Sequence, residues 1–304
     1  MERRRFIKGS LTAGAVASAA PLAKSAPLER SGDELRVALA AYSFRSNFAY
    51  MKGKPNRSLA EGARTIDMPG FIRYCAELGV DGAELTSYFF PPEVSDDYLA
   101  NCRRTAHING VAVAGTAVGN NFSHPKDSEQ RAEQMAYVQS WVDRAVVMGA
   151  PHVRVFAGVH PKGMKAEEAE ANAIEALREA ADYAGARGII LGIENHDSVG
   201  TAEALLRIVK AVDHPWLGVN LDSGNFRVDD PFPEIAASVP YAVNVQLKTE
   251  FKKGDEKVPA DLERVVGLLR DGGYAGHVVL EYEEKDDPFE HVPRWIEKLQ
   301  GWCA

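Results

Sequence analysis

Short apolar runs alternate with longer amphipathic stretches along most of the chain. The stretches between the runs repeat apolar residues at helical spacing, most clearly over 127–149 and 165–188, where Gly188 is a natural helix stop. Strands that alternate with helices pair in parallel through the helical crossovers. The pattern therefore predicts an α/β protein with a parallel sheet. The apolar runs cover residues 35–44, 82–89, 111–118, 151–159, 188–195, 217–222, 242–248 and 276–282.

Eight strand-and-helix units predict that this sheet closes into a barrel. They fill roughly 270 residues, close to the roughly 250 that are usual for a (β/α)8 barrel. A doubly wound open sheet is the alternative, but no Gly-x-Gly-x-x-Gly motif follows the first strand to support it. We therefore expect one (β/α)8 TIM barrel over residues 33–304.

Four of the predicted strands end in polar side chains that share one face. The segments "LGIENH", "LGVNLDSGNF", "YAVNVQLKTE" and "GHVVLEYEE" alternate aliphatic and polar residues. The aliphatic face packs under the helices, so the polar face points into the barrel, near the strand ends where barrel enzymes carry out their chemistry. The residues placed there are Glu194, Asp222, Gln246 and Glu281.

This convergence of oxygen ligands predicts a bound cation. Three carboxylates and a carboxamide oxygen repel one another unless a positive charge lies between them. Ligands that are all oxygen suit a hard divalent ion such as Mn²⁺ or Mg²⁺. The alternative is that each acid forms a separate salt bridge with a neighbouring Lys or Arg. The equivalent placement on four successive strands favours the metal site.

These strand ends resemble the xylose isomerase-like TIM barrel family, often described as sugar phosphate isomerases and epimerases. The resemblance covers about residues 35–300 and rests on the Glu-x-His strand end, "LDSGNF", "QLK" and "VVLEYE". It implies that Glu194, Asp222, Gln246 and Glu281 bind one divalent ion, with Mn²⁺ favoured and Mg²⁺ or Co²⁺ as alternatives. Gln246 stands where the family often has His, which disfavours zinc. The family's DNA-repair branch, with its histidine-rich zinc site, is also disfavoured.

Further candidates lie near the predicted ligands. We expect Glu194 and Glu281 to remove and return a substrate proton, and His196, two residues after Glu194, to stabilise an oxyanion. Lys248 follows Gln246 by two and is expected to bind a substrate oxygen, with a rim salt bridge to Glu250 or Asp222 as the alternative. The predicted substrate-binding residues are His160, at the end of the fourth strand, Glu84, at the end of the second, Lys248 and Asn225.

Together these residues predict a metal-dependent isomerase or epimerase that acts on a keto-sugar through an enediolate. Two alternatives stay open. A lyase would use the same enolate to cleave a 3-keto-glycoside or to dehydrate a keto-polyol. A non-catalytic sugar-binding barrel would use the metal only for structure.

The net charge argues against a nucleic-acid-binding protein, and the cysteine pattern argues against a protein held by disulfides or by a cysteine-bound metal. The net charge of −8, from 35 basic and 43 acidic residues, argues against a nucleic-acid partner, which would require a basic face. The three cysteines are scattered, so neither a disulfide framework nor a cysteine metal site is expected. The expected partner is a small carbohydrate substrate, and a homo-oligomer stays open.

Residues 1–26 are predicted to be a signal peptide with a short linker. A basic head is followed by a mildly apolar middle and by small residues, and "RRRFIK" at residues 3–8 resembles the twin-arginine export motif. The twin-arginine export machinery is therefore an expected partner, and the mature protein is expected to be periplasmic or exported. No later segment has the length and apolar character of a membrane span.

Replacing Arg3, Arg4 and Arg5 together by Lys should retain the protein in the cytoplasm, because the export receptor reads arginines rather than positive charge alone. Cell fractionation, with mass spectrometry of the mature N-terminus, measures the outcome. Normal export of this variant would contradict the assignment of the twin-arginine motif.

Overall fold

Eight parallel strands form a closed barrel in the computed structural model, which describes residues 35–254 and 256–304. Each strand pairs with the next along the chain, and the last pairs with the first. This confirms the predicted (β/α)8 TIM barrel. The predicted signal peptide, residues 1–26, lies outside the described residues. The strands are β1 Arg36–Ala40, β2 Gly82–Glu84, β3 Ala112–Ala117, β4 His152–Val155, β5 Ile190–Glu194, β6 Leu217–Asp222, β7 Ala242–Leu247 and β8 His277–Leu280.

A helix follows every barrel strand. Several begin at side chains that accept a backbone N–H in the first turn, such as Asp67 before α1, Ser95 before α2 and Thr201 before α5. The α3 helix ends at Gly149, whose φ of 76° suits glycine. The helices are α1 Met68–Glu77, α2 Asp96–Ile108, α3 Glu129–Met148, α4 Ala166–Gly185, α5 Ala202–Val212, α6 Phe232–Ser238, α7 Leu262–Asp271 and α8 Pro288–Cys303.

Aliphatic side chains of the strands pack against the helices, as the alternation predicts. In β5 Leu191 and Ile193 are fully buried, and in β6 Val219 and Leu221 are fully buried in the same core. The residues that alternate with them, among them Glu194, Asn220 and Asp222, therefore face the barrel interior. None of the helices in the described part of the chain has the length and apolar character that crossing a membrane requires.

Two short hairpins interrupt the alternation of strands and helices. One pairs Tyr50–Met51 with Lys54–Pro55 after β1, and the other pairs Glu250–Lys253 with Glu256–Pro259 after β7. The chain returns from the second hairpin to the end of β7, where the Ala260 N–H donates to the Thr249 carbonyl over 2.9 Å. This second hairpin, residues 250–253 and 256–259, lies beside the C-terminal end of the barrel.

Gly218→Ala should destabilise the protein, because β6 and β7 approach closely at this position. A Cβ at residue 218 would lie 2.4 Å from Val243 Cγ1 and 2.9 Å from the Tyr241 carbonyl oxygen, which is backbone. We expect the free energy of unfolding to fall by about 1–3 kcal/mol, measured by denaturant unfolding. The control is Gly301→Ala in α8, where no heavy atom lies within 4 Å of the added Cβ. An equal loss in both variants would contradict this explanation.

Candidate functional site

Three carboxylates meet at the C-terminal end of the barrel. Glu194 is the last residue of β5, Asp222 is the last of β6, and Glu281 is the first residue after β8. Their exposed fractions are only 4%, 0% and 7%. The strand alternation predicts this placement, and the structure confirms that all three are buried at the strand ends. Buried carboxylates require compensation of their charge.

The ammonium of Lys248 provides much of this compensation. Lys248 follows β7, and its Nζ lies 3.0 Å from Asp222 Oδ2, 3.2 Å from Glu283 Oε1 and 3.7 Å from Glu281 Oε1. Its side chain is only 12% exposed. The salt bridge to Asp222, which the sequence leaves as an alternative for Lys248, is therefore present. It is buried among the carboxylates rather than on the rim.

Arg154 of β4 compensates Glu194. Its Nε lies 2.8 Å from Glu194 Oε2, and both side chains are buried. The Nε–H is not aligned for a hydrogen bond, so the attraction is between the two charges. One terminal nitrogen, Nη1, donates to the Val118 carbonyl over 2.8 Å, and the guanidinium lies 4.1 Å from the centre of the Phe156 ring. These contacts orient Arg154 toward the site.

The side chain of Asn225 links the two charged pairs. Its Nδ2 donates to Glu194 Oε1 over 2.7 Å and to Asp222 Oδ2 over 2.9 Å, and its Oδ1 accepts from Lys248 Nζ over 3.1 Å. Asn225, predicted to bind substrate, thus lies at the centre of the polar cluster. We call Arg154, Glu194, Asp222, Asn225, Lys248, Glu281 and Glu283 the upper polar layer.

A second group of polar side chains, the lower polar layer, lies beneath this one. Glu84 Oε1 accepts from Gln246 Nε2 over 2.7 Å, and Glu84 Oε2 accepts from Asn244 Nδ2 over 3.0 Å. Asn220 Nδ2 donates to Gln246 Oε1 over 2.6 Å, and Asn220 Oδ1 accepts from Asn244 Nδ2 over 2.8 Å. The layer therefore consists of Glu84, Asn220, Asn244 and Gln246. Its members satisfy one another inside the barrel.

The predicted metal ligands are not arranged around a common point. Both polar atoms of the Gln246 carboxamide bind within the lower layer, while Asp222 and Glu281 surround Lys248. Within residues 35–254 and 256–304, no group of three or more His, Cys, Asp or Glu side chains is placed to hold a metal ion. This donor set does not fit the predicted divalent ion unless Lys248 leaves and the Gln246 carboxamide turns.

The two predicted histidines and Glu84 lie at three different places in the barrel. The β4 strand ends at Val155, so His160 belongs to the exposed loop beyond it rather than to the strand end. His196 is at the mouth of the barrel, 40% exposed, with its ring 4.8 Å from that of Phe156 and its Nδ1 2.9 Å from Asp197 Oδ1. Glu84, predicted to bind substrate, is 1% exposed and is held in the lower layer.

Other site residues are not identified by the sequence analysis. Asn195 connects β5 to β6, since its Nδ2 donates to the Asp222 carbonyl over 2.8 Å and its Oδ1 accepts from the Asp222 N–H over 2.7 Å. Arg154, Asn220 and Asn244 lie on the inward face of their strands. The alternation of aliphatic and polar residues along each strand is the sequence signal that identifies such inward-facing residues.

Burial and neighbouring charges shift the pKa values of the upper layer. Burial raises the pKa of Asp222 to about 6, although Lys248 opposes the rise, and burial raises the pKa of Glu281 well above its usual range. Burial also acts to raise the pKa of Glu283, but Lys248 and a hydrogen bond with Glu281 outweigh it and the pKa is lowered. Burial disfavours the charged form of Lys248, yet the surrounding carboxylates, Asp222 first, raise its pKa well above the ordinary value.

This closed (β/α)8 barrel has its charged side chains at the C-terminal strand ends, the end at which barrel enzymes place their active sites. The chain belongs to the xylose isomerase-like TIM barrel family, whose model matches residues 72–299. This confirms the family that the strand-end motifs indicate. A comparison with curated protein sequences finds no match.

Solved structures with low sequence identity share this fold. D-psicose 3-epimerase from Clostridium cellulolyticum H10 is 20% identical, with a TM-score of 0.65 over 86% of this chain and 89% of that one. The 3-keto-D-glucoside 4-epimerase of E. coli is 13% identical, with a TM-score of 0.67 over 87% and 100%. A xylose isomerase-like TIM barrel protein from Mycobacterium smegmatis, in complex with magnesium, is 21% identical, with a TM-score of 0.66 over 89% and 98%.

Stability should depend on pH through Glu84. Burial raises the pKa of Glu84 from an ordinary value of 4.5 to about 7. Between these values the folded protein holds a proton that the unfolded chain has released, so the free energy of unfolding falls as pH rises. The contribution is fully present below pH 4.5 and is lost above about pH 7, and it amounts to at most about 3 kcal/mol.

Glu84→Gln should remove this dependence. Denaturant unfolding of the native protein and the variant across this pH range measures the difference between their unfolding free energies. We expect the difference to change in favour of the variant as pH rises, whatever the effect of the substitution at low pH. Curves that stay parallel across the range would show that Glu84 does not titrate in this way.

Proposed function

We propose that this protein is a carbohydrate isomerase or epimerase that moves a proton at a carbon next to a carbonyl group. The observation that carries the proposal is the upper polar layer. Glu194 and Glu281 end strands that are separated by β6 and β7, and the cations Arg154 and Lys248 lie beside them. A substrate across the barrel mouth would meet a carboxylate from each side and positive charge beside both.

The chemistry follows from these groups. One carboxylate takes the proton from the carbon next to the carbonyl, and the electron pair of that C–H bond moves into the carbon–carbon bond while the carbonyl oxygen becomes negative. The neighbouring cations stabilise this enediolate. Return of a proton from the other carboxyl group, which begins the cycle protonated, to the opposite face of the same carbon gives an epimer, and the two carboxyl groups exchange protonation states. Return to the adjacent carbon, after a proton moves between the two oxygens, gives an isomer.

Family membership and the comparisons support the substrate class. Two of the structures that share this fold are named as epimerases, of D-psicose and of a 3-keto-D-glucoside. Both names describe a sugar that carries a carbonyl group. A keto-sugar or a keto-glycoside is therefore the proposed substrate here.

Metal dependence and export stay predictions. A divalent ion would supply positive charge at the substrate oxygens, with Glu194, Asp222, Gln246 and Glu281 as its ligands. Since Lys248 and Gln246 would have to move first, we assign no step to the ion. Export by the twin-arginine route and a periplasmic location are proposed from the N-terminal motif alone.

Glu281→Gln should lose at least about a hundredfold in turnover, because an amide cannot accept the substrate proton. The assay incubates protein with a panel of keto-sugars and 3-keto-glucosides in D₂O and follows products by NMR. The native protein should give an isomer or epimer of the substrate that carries deuterium in place of hydrogen on the carbon next to the carbonyl. Glu290→Gln, an exposed acid of α8, is the matched control and should retain native turnover.

The other outcomes separate the rival functions. Fragments in place of an isomer would identify a lyase. A sugar that binds but never incorporates deuterium would identify a non-catalytic binding barrel, and the proposed function would be wrong. If Glu281→Gln exchanged deuterium at the native rate, Glu194 rather than Glu281 would be the base.

A further inference from the structure

We propose that the ammonium of Lys248 contacts the substrate oxyanion and supplies the positive charge for which the family uses a divalent ion, so that the reaction proceeds in the metal-free protein. This inference rests on the proposed function. It assigns the stabilisation of the substrate oxyanion in that site to Lys248 rather than to a bound ion.

Four consecutive residues, Asp222 to Asn225, hold Lys248 along its whole length. Ser223 Oγ accepts from the Lys248 N–H over 3.0 Å, which anchors the backbone. A Cβ at Gly224 would lie 2.8 Å from Lys248 Cβ and 2.9 Å from Lys248 Cδ, so the aliphatic stem fills the space that only glycine leaves. Asp222 Oδ2 and Asn225 Oδ1 bind Nζ at 3.0 and 3.1 Å. The "DSGN" segment therefore fixes the position of this lysine.

The position of Nζ conflicts with a metal at the same carboxylates. Nζ lies 3.0 Å from Asp222 Oδ2. An ion bound to that oxygen at about 2.2 Å would lie within roughly 5 Å of Nζ, and the two positive charges would repel. An ion on that oxygen would share Asp222 with Lys248, and it would compete with Lys248 for Glu281 as well. The two cations therefore compete for the same carboxylates.

Gln246 strengthens this conclusion. It stands at the position of the family's frequent His ligand, and its carboxamide oxygen accepts from Asn220 while its nitrogen donates to Glu84. Both atoms are used within the lower polar layer, and the residue is 1% exposed. The fourth predicted ligand therefore serves the packing of the barrel interior.

A small cavity of about 40 Å³ borders Lys248. Its walls are formed by Gly224, Asn225, Lys248, Thr249, Glu250, Lys252, Lys257 and Glu283. This volume holds about one water-sized group. It would accommodate a single carbonyl or hydroxyl oxygen of the substrate.

The proton balance of the step needs no additional reagent. A carboxylate removes the proton from carbon, the C–H electron pair forms the enediolate, and Lys248 donates a hydrogen bond to the new oxyanion. When the proton returns to carbon, the carbonyl reforms and the lysine keeps its own protons. No electron leaves the substrate.

The first experiment tests whether the reaction needs a bound metal ion. The native protein is stripped with chelator until elemental analysis finds far less than one ion per chain, and deuterium exchange into the keto-sugar panel is then measured with and without Mn²⁺. We expect unchanged exchange after stripping. Calorimetric titration with Mn²⁺ should give no stoichiometric binding to native protein. It should give tighter binding to Lys248→Met, in which three carboxylates have lost their cation.

The lysine is tested by substitution and by chemical rescue. Lys248→Ala should lose at least about a hundredfold in turnover, and added ethylamine should restore part of it because the ammonium can re-enter the vacated space. Lys298→Ala, at an exposed lysine of α8 that lies over Trp295, is the matched control and should retain native turnover. Rescue by ethylamine also shows that Lys248→Ala has folded.

The failures of the two proposals are distinguishable. One result would overturn the role of Lys248 and leave the isomerase or epimerase function intact. In that result, deuterium exchange is lost when the metal is removed, returns when Mn²⁺ is added, and is retained in Lys248→Met. Stoichiometric Mn²⁺ binding by the native protein would also overturn the role of Lys248. No exchange in the native protein, with or without Mn²⁺, would overturn the proposed function and this inference together.

Discussion

The compensation of buried negative charge is the constraint on which this site depends. A carboxylate buried without a partner is strongly destabilising, and three of them share one end of the barrel. Lys248 and Arg154 come from different strands, so their charges reach the carboxylates only when the barrel is closed and in register. The compensation of charge in the site therefore depends on the same strand order that forms the core.

The interior of the barrel is organised in layers of different electrostatic character. The lower layer contains three carboxamides around one carboxyl group and is nearly closed to water, while the upper layer contains opposite charges near the mouth. The hydrogen bonds of the lower layer and the ion pairs of the upper layer are joined through residues of the same strand, such as Asn220 and Asp222. The lower layer thereby supports the upper one from beneath.

The alternation of aliphatic and polar residues was sufficient to predict the fold and the inward face of the strand ends. It placed Glu194, Asp222 and Glu281 correctly because side-chain direction along a strand has a period of two. It could not predict which partner a long side chain selects, since Lys248 reaches acids on two other strands. It was wrong about where β4 ends, and so it placed the exposed His160 at a strand end.

The hydrogen bonds of Gln246 also limit how this site can change by mutation. A histidine that binds a metal through one ring nitrogen keeps only one N–H for other contacts. It could donate to Glu84, but the Asn220 amide would then lose its acceptor. A single replacement at 246 would therefore pass through a less stable intermediate. A metal-binding histidine at residue 246 would therefore require a matching change at residue 220, so the hydrogen bond between them couples these two positions.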